Sequence, residues 1–534
     1  MPYHDLHEHI ALLEKNGLLH RISRPVNKNT ELHPLVRLQF RGLEESERKA
    51  FLFENVTDGR GTTYPFPVLA GGLAPSQQIY ALGMQCAVEE INSRWTQAME
   101  HPIEPAEVKT AKCQEVVHEL DPRGIPGSGL DAFPIPVSTP GWDPAPFLTC
   151  AHWVSHDPVT GKRNIGNYRG HVKAPNRVGL TLLTPTQGIG PHWQAARKLG
   201  KPLEVAIVVG APPLVTYASA SKVPPGADEL AVAGGIAGEP IRMVRCKTVD
   251  VYVPADAEIV IEGRVSIDEM EPEGPFGEFI GYIQPTKYAR FMDIDCITHR
   301  KDAVFASLVS QISPSESSVM RRLSTEPVYL RHLRGSMGIG SLKAVHLYEE
   351  LLSVRRLAVL QFEKPHSDQV KRALLATASL VAGGAKVIIA VDHDIDHTDL
   401  TSVMWAVGTR CTPHKDVTII PGFRLGTVPP FADFDEHGFV SHEEGQNDSI
   451  MLINATMDTP YPPVSLPKKE YMDRAVALWQ ELGLPELRLR NPWYGVSLGQ
   501  WSDTLEAAAR AATEGDYRTY GDALKRMRKP ISGI

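Results

Sequence analysis

Two carboxylates flank a Gly-Pro-Phe-Gly core in the run Pro272-Glu273-Gly274-Pro275-Phe276-Gly277-Glu278. Pro275 and the two glycines exclude a helix there. On a loop, both carboxylates can face one pocket. Burial and mutual repulsion then raise the proton affinity of one, leaving an acid beside an anion. The bland alternative is a solvated acidic turn. Asp268, Glu269 and Glu271 lie close by, and isolated carboxylates are mostly surface groups, so composition alone favours the turn.

A second group is Asn164-Ile165-Gly166-Asn167-Tyr168-Arg169, followed by Gln187-Gly188-Ile189-Gly190-Pro191-His192 and by Glu229. An amide oxygen, an imidazole and a carboxylate suit a hard divalent ion such as Mg²⁺ or Mn²⁺, above all when a phosphate completes the shell. Arg169 has the fork to clamp a substrate carboxylate bidentately. Spacing alone does not separate a metal site from three unrelated polar residues.

Other patterns fall away. Asp392-His393-Asp394-Ile395-Asp396 opens like a calcium loop, but His397 stands at the glycine position and Val403 at the closing Glu, which makes it an acidic strand end. His4, His7 and His9 read as a solvated helix start. Gly335, Gly338 and Gly340 do not form G-x-G-x-x-G, and the chain has no Walker A, H-E-x-x-H or G-x-S-x-G sequence. Nucleotide hydrolysis, zinc proteolysis and α/β-hydrolase chemistry lose their usual support.

The elements that must hold these residues divide in three. Leu6, Ile10, Leu12, Leu13 and Leu18 outline a first helix bounded by Gly17, Ala50–Phe53 reads as a strand, and Ile79, Leu82, Met84, Ala87 and Ile91 predict one helix over 75–99. Seven prolines between 121 and 147 then break regular structure. Short β-rich runs at 178–183, 203–209, 248–253 and 258–263 predict a barrel or sandwich with inserted helices. Beyond about 320 the pattern returns to α/β, with strands near 354–362 and 386–392 and helices near 369–381, 398–405, 468–482 and 502–513.

The 534 residues carry a formal charge of −8 and are 42% hydrophobic and 22% charged, which excludes disorder and a globally basic nucleic-acid binder. No run of about 18 apolar residues is present to cross a bilayer. The opening residues have neither a basic nor an apolar signal region, so a cytoplasmic protein is expected. The six cysteines are scattered, without C-x-x-C spacing, and read as free thiols.

Taken in order, six segments resemble the UbiD family of decarboxylases that use prenylated FMN. They are N-I-G-N-Y-R (Asn164 to Arg169), G-P-H-W (Gly190 to Trp193), V-P-P-G-A-D-E-L ending at Glu229-Leu230, A-E-I-V-I-E-G (Ala257 to Gly263), P-E-G-P-F-G-E (Pro272 to Glu278) and V-M-W-A-V-G-T-R (Val403 to Arg410). The match runs from about residue 110 to 460, and P-E-G-P-F-G-E in this company overturns the solvated-turn reading.

The resemblance implies an N-terminal α/β domain (1–115), a split β-barrel carrying prenylated FMN (116–320) and a C-terminal α/β oligomerisation domain with terminal helices (321–534). Asn164, His192 and Glu229 would hold Mn²⁺ or Mg²⁺ against the cofactor phosphate, with K⁺ and Arg410 in the same region. Asn164, Ile165, Gly166, Tyr168, Arg169, Gln187, His192, Glu229 and Lys386 would line the cofactor, and Arg169, Glu273 and Glu278 would be the catalytic set. Arg169 would pair with Glu273, and Glu278 would be the proton donor.

The implied reaction is reversible, non-oxidative decarboxylation of an aromatic or heteroaromatic acid by a homodimer or homohexamer, with a flavin prenyltransferase supplying the cofactor and no nucleic-acid or membrane partner. An aryl-CoA thioester such as phthaloyl-CoA, or an acrylic acid, is the alternative substrate. A flavin carrier without turnover and a flavin-free metal-dependent hydrolase are the rival classes. One departure stands out: Asn454 occupies a position where many members carry Asp, and the spacer Gly188 to Pro191 also differs from some of them.

Overall fold

The computed structural model describes residues 4–182, 186, 188–221, 223, 227–278, 281–284, 286–349, 356–380, 385–423, 448–487 and 498–529. The chain begins with the helix Leu6–Lys15, capped by Asp5, whose side chain accepts the Glu8 N–H. Leu6, Ile10 and Leu13 bury one face of that helix, and Gly17 ends the turn at φ +69°. The expected single helix over 75–99 is two, Gln77–Gly83 and Ile91–Glu100, joined through a 3₁₀ turn. The reason is tertiary. Gly83 packs so closely on Tyr217 that a Cβ there would lie 2.0 Å from the tyrosine oxygen, and Gln85 adopts φ +57°. The apolar stripe continues across the break because both helices face one core.

These helices cover a four-stranded sheet in the order Leu19–Ile22, Ala50–Phe53, Val68–Ala70, Phe305–Ser307. Its last strand comes from far along the chain. A single apolar core runs from Leu6 through the central strands to Leu323, so the first two units share one interior.

Ten strands form the central sheet among the described residues, in the main order Arg163–Asn167, His152–His156, Leu203–Val209, Ile259–Val265, Lys287–His299, Arg177–Leu180, Gly170–Ala174, Phe147–Leu148, each pair antiparallel. The 13-residue strand Lys287–His299 is its spine and pairs also with Glu271–Glu273 and Val116–Glu119. No clean alternation marks it in the sequence, because most of its residues are buried on both faces. Three helices, Gly190–Lys198, Pro213–Ala220 and Glu229–Ala237, are inserted between strands.

The helix Glu316–Arg331 leads out of this body. Its first residue is anchored: the buried Glu316 carboxylate accepts N–H groups of Gly71, Leu73, Ala74 and Val309. Beyond it lies a five-stranded sheet in the order Leu342–Tyr348, Leu357–Phe362, Val387–Asp392, Asp448–Ala455, Val417–Phe423, with the three middle strands parallel. Separate apolar clusters cover its two faces. The later helices Lys469–Glu481, Asp503–Thr513 and Arg518–Arg526 bury no residue at all. No described helix is long and apolar enough to cross a membrane. All six cysteines are free, with Cys86 and Cys411 only half-buried.

Candidate active site

Arg169 sits in the short link between the strands Arg163–Asn167 and Gly170–Ala174. Opposite it the P-E-G-P-F-G-E segment forms two short strands, Glu271–Glu273 and Phe276–Gly277, turned at Gly274, where φ is +90°. Arg169 Nε and Nη2 donate to the two oxygens of Glu273 at 2.9 and 2.8 Å, and Nη1 donates to Glu278. Nη2 also reaches Gln284 Oε1 at 3.2 Å. The guanidinium carbon lies 4.8 Å from the centroid of the Phe276 ring, which packs on Phe147. Both carboxylates therefore share one cation. Glu273 is buried, whereas Asp268 and Glu269 remain exposed in the solvated turn.

Burial pushes the Glu273 carboxyl up, but the charge and hydrogen bonds of Arg169, helped by Lys287, outweigh it and hold the group at about 2. Arg169 is itself disfavoured by burial and more than compensated by Glu273 and Glu278, so it stays charged. The bidentate clamp expected between Arg169 and a substrate carboxylate is not what the structure builds. The fork is engaged by Glu273, and four of the five guanidinium N–H groups have partners.

Two residues that the motifs did not signal complete this cluster. Lys287 is the register partner of Glu273, and Gln284 that of Phe276. Lys287 Nζ lies 3.3 Å from Gln284 Oε1. Burial, then the nearby Arg169, pull Lys287 down to about 7 against the attraction of Glu273 and Glu278. Strand pairing was the signal for both, and it becomes visible only once Lys287–His299 is recognised as a strand. Around Gly277 converge Thr139, Gln311 and Asp143. Arg37 donates to Gln311 Oε1 at 2.5 Å, and burial pushes the Asp143 carboxyl up to about 6.

Asn164, His192 and Glu229 meet on neighbouring elements. Asn164 pairs in register with Ser155, whose hydroxyl lies 2.8 Å from His192 Nδ1. His192 belongs to the first turn of Gly190–Lys198, and burial lowers its pKa, favouring the neutral ligand form. Glu229 opens its helix beside the capping residue Asp228, which accepts the Leu230 N–H and pairs with Arg163. The Glu229 carboxyl takes the Ile165 N–H, and burial, then its Asp228 neighbour, push it up to about 7. Asn164 Nδ2 is buried without a partner. A carboxyl made reluctant to ionise, a neutral imidazole fixed through its other nitrogen and a buried amide fit a divalent cation. Among the described residues no three His, Cys, Asp or Glu form such a group, so the Asn is needed to make the set.

Tyr168 locks the approach to His192. A Cβ on Gly166 would lie 2.6 Å from the Tyr168 ring, one on Gly188 (φ +57°) 1.7 Å from its oxygen, and the Ile189 N–H donates to that oxygen at 3.2 Å. Ile165 is buried, and Gln187 lies outside the described residues. A cleft of about 840 Å³ lined by His156, Arg163, Tyr252 and Arg264 contains none of Arg169, Glu273 and Glu278.

The remaining expected residues belong to the third unit. Lys386 is exposed at the head of Val387–Asp392, its N–H bonded to the Arg356 carbonyl. Arg410 is buried at the end of the helix Leu400–Arg410, bidentate to Asp394 at 2.8 and 2.7 Å and 3.3 Å from Asp392, so a helix of the same unit supplies the cation that faces the acidic strand end. Asn454 Oδ1 accepts the N–H and hydroxyl of Thr456.

Three family models match consecutive parts of the chain: the N-terminal domain of 3-octaprenyl-4-hydroxybenzoate carboxy-lyase over 10–99, its Rift-related domain over 106–312 and its C-terminal domain over 318–439. An evolved dimeric form of the UbiD-class enzyme HmfF from Pelotomaculum thermopropionicum, solved with prFMN, is 30% identical, with 87% of this chain and 97% of that one covered at a TM-score of 0.72. The closed form of the Sedimentibacter hydroxybenzoicus vanillic acid decarboxylase is 26% identical over 90% of this chain and 99% of that one, with a TM-score of 0.74. An uncharacterised protein of Archaeoglobus fulgidus is 29% identical over 510 residues, covering 90% of this chain and 99% of its own. The resemblance carried by six short segments thus extends over all three parts of a mixed α/β architecture, and the chain belongs to the UbiD family of carboxy-lyases.

Proposed function

We propose that this protein is a prenylated-FMN-dependent carboxy-lyase that removes CO₂ from an aromatic or heteroaromatic carboxylic acid, and that runs in reverse under high CO₂. The observation that carries this reading is the half-buried Arg169 bound to both Glu273 and Glu278. A flavin carrier has no use for that arrangement, and a hydrolase built on the Asn164 site would leave it without a task.

Loss of CO₂ from an aryl carbon leaves an electron pair that no side chain can delocalise, and the bound prenylated flavin supplies that electron sink. Asn164, Ile165, Gly166, Tyr168, Arg169, Gln187, His192, Glu229 and Lys386 would hold it, with Mn²⁺ or Mg²⁺ on Asn164, His192 and Glu229 at its phosphate and K⁺ nearby. Arg169 fixes the acid pair in place, and Glu273 stays anionic beside it. Glu278 delivers the proton that replaces CO₂ on the ring carbon, in a pocket from which burial excludes water. The protein is cytoplasmic in this reading and draws its cofactor from a flavin prenyltransferase. It assembles as a homodimer or homohexamer through its last unit, whose terminal helices and their flanks leave Leu478, Trp501, Tyr517 and Met527 exposed.

The test is to co-produce the chain with a flavin prenyltransferase, record the absorbance and mass of the released small molecule, and screen aromatic acids for CO₂ release. A mass matching prenylated FMN together with CO₂ release is the expected outcome. Metal-replete protein without any flavin would refute the proposal.

A further inference from the structure

The spent fork of Arg169 raises the question of what receives the anion of a substrate. Lysine is rarely buried, because desolvating an ammonium is costly. Lys287 is nevertheless only 5% exposed, and it stands in register with a carboxylate that Arg169 already pairs bidentately. Its charge faces Glu273 alongside that of Arg169. Its second effect is on Gln284. Arg169 Nη2 and Lys287 Nζ both address one atom of that amide, at 3.2 and 3.3 Å, and two cationic donors require that atom to be the oxygen. The orientation of the amide is fixed as a result. Its Nε2, on a side chain only 4% exposed, is a buried donor without a partner. Orphaned donors of this kind are uncommon in folded proteins and costly to keep.

We propose that Gln284 Nε2 donates to the carboxylate of the aromatic acid, and that Lys287 is a positioning residue whose charge, with that of Arg169, outweighs the Glu273 carboxylate. With Glu278 holding the proton that it delivers, two cations against one anion leave a net positive charge to attract the incoming carboxylate. Loss of the lysine proton removes that charge. The charged groups that bear on Lys287 are Arg169, Glu273 and Glu278. His171 and Asp143 also lie close by, bearing on Arg169, and His171 on Glu273 as well. Lysine at this site gives up its proton near pH 7, so the anion is received on the acid side of neutrality.

This inference rests on the aromatic-acid reading, and titration calorimetry of the flavin- and metal-loaded protein with benzoate between pH 6 and pH 9 tests the two separately. The expected result is affinity that weakens about tenfold with rising pH, the scale of one charge a few ångströms away in a partly shielded site. Lys287→Met should bind weakly at every pH and lose the pH dependence. Gln284→Leu should bind about tenfold more weakly and keep it. Benzoate affinity that is flat with pH in the wild type, or unaltered in folded Gln284→Leu, would overturn the inference while leaving the reaction class intact. If neither benzoate nor any acid in the CO₂ screen engages the protein, the aromatic-acid reading itself falls. The wild-type pH series decides the matter even if a variant does not fold.

Discussion

Glu273 lies at the end of a fork of two parallel hydrogen bonds from Arg169, 2.9 and 2.8 Å long, on a side chain only 1% exposed to solvent. The pair is a structural member of the fold. Its carboxyl is held at about 2, below its ordinary 4.5, so its contribution is fully present above pH 4.5 and is lost as pH falls towards 2. Urea unfolding between pH 6 and pH 3 should therefore show an acid loss of about 2 kcal/mol in the wild type. Glu273→Gln should be about 3 kcal/mol less stable at pH 7 and lack most of that acid limb. A mutant as stable as the wild type would show that the fork adds nothing to folding.

Glu278→Gln removes the proposed proton donor while keeping a hydrogen-bonding group beside Arg169. CO₂ release should fall by about 100-fold or more, the usual range for loss of a general acid. Flavin content, read by absorbance, should be unaltered. Turnover near the wild-type rate would remove Glu278 from the proton path.

Metal binding by Asn164, His192 and Glu229 should depend on pH through Glu229. In the metal-free chain its carboxyl is raised to about 7, so its contribution is favourable below 4.5 and is lost as pH climbs through 7. A divalent cation reverses that penalty by binding the ionised form. Mn²⁺ should accordingly raise the Tm of flavin-free protein more at pH 8 than at pH 5.5. Glu229→Ala should abolish most of the shift, and an equal shift at both values would take Glu229 out of the ligand set.

Gly188 is placed for a conformational reason as well as a steric one. Its φ of +57° disfavours a side chain, and a Cβ would meet the Tyr168 oxygen at 1.7 Å. Gly188→Ala should cost about 1–3 kcal/mol in thermal unfolding. Because the same loop delivers His192, it should also weaken the Mn²⁺ shift. A Tm within a degree of the wild type would show that the loop relaxes freely.

What could be read from the sequence follows from how local each signal is. Strands Ala50–Phe53 and Leu203–Val209 announce themselves by composition, and the residues of P-E-G-P-F-G-E and N-I-G-N-Y-R are contiguous. The break after Gly83 was hidden because its cause is Tyr217, more than a hundred residues away. Lys287–His299 was hidden because both its faces are mostly buried and the alternation that marks a half-exposed strand is lost. With that strand unread, Lys287 and Gln284 had no visible relation to Glu273. The engagement of the Arg169 fork is a fact of side-chain geometry that no spacing rule contains.

The strand Phe305–Ser307 closes a sheet that begins at Leu19, almost three hundred residues earlier. During synthesis the amino-terminal unit must therefore wait, with the edge of Val68–Ala70 unpaired, until the whole central sheet has left the ribosome. Contacts of such long sequence separation form slowly, and an open apolar edge invites other chains. A fragment ending near residue 110 should aggregate, whereas one reaching residue 331 should fold. For this chain, the autonomous unit of folding is the first two domains together.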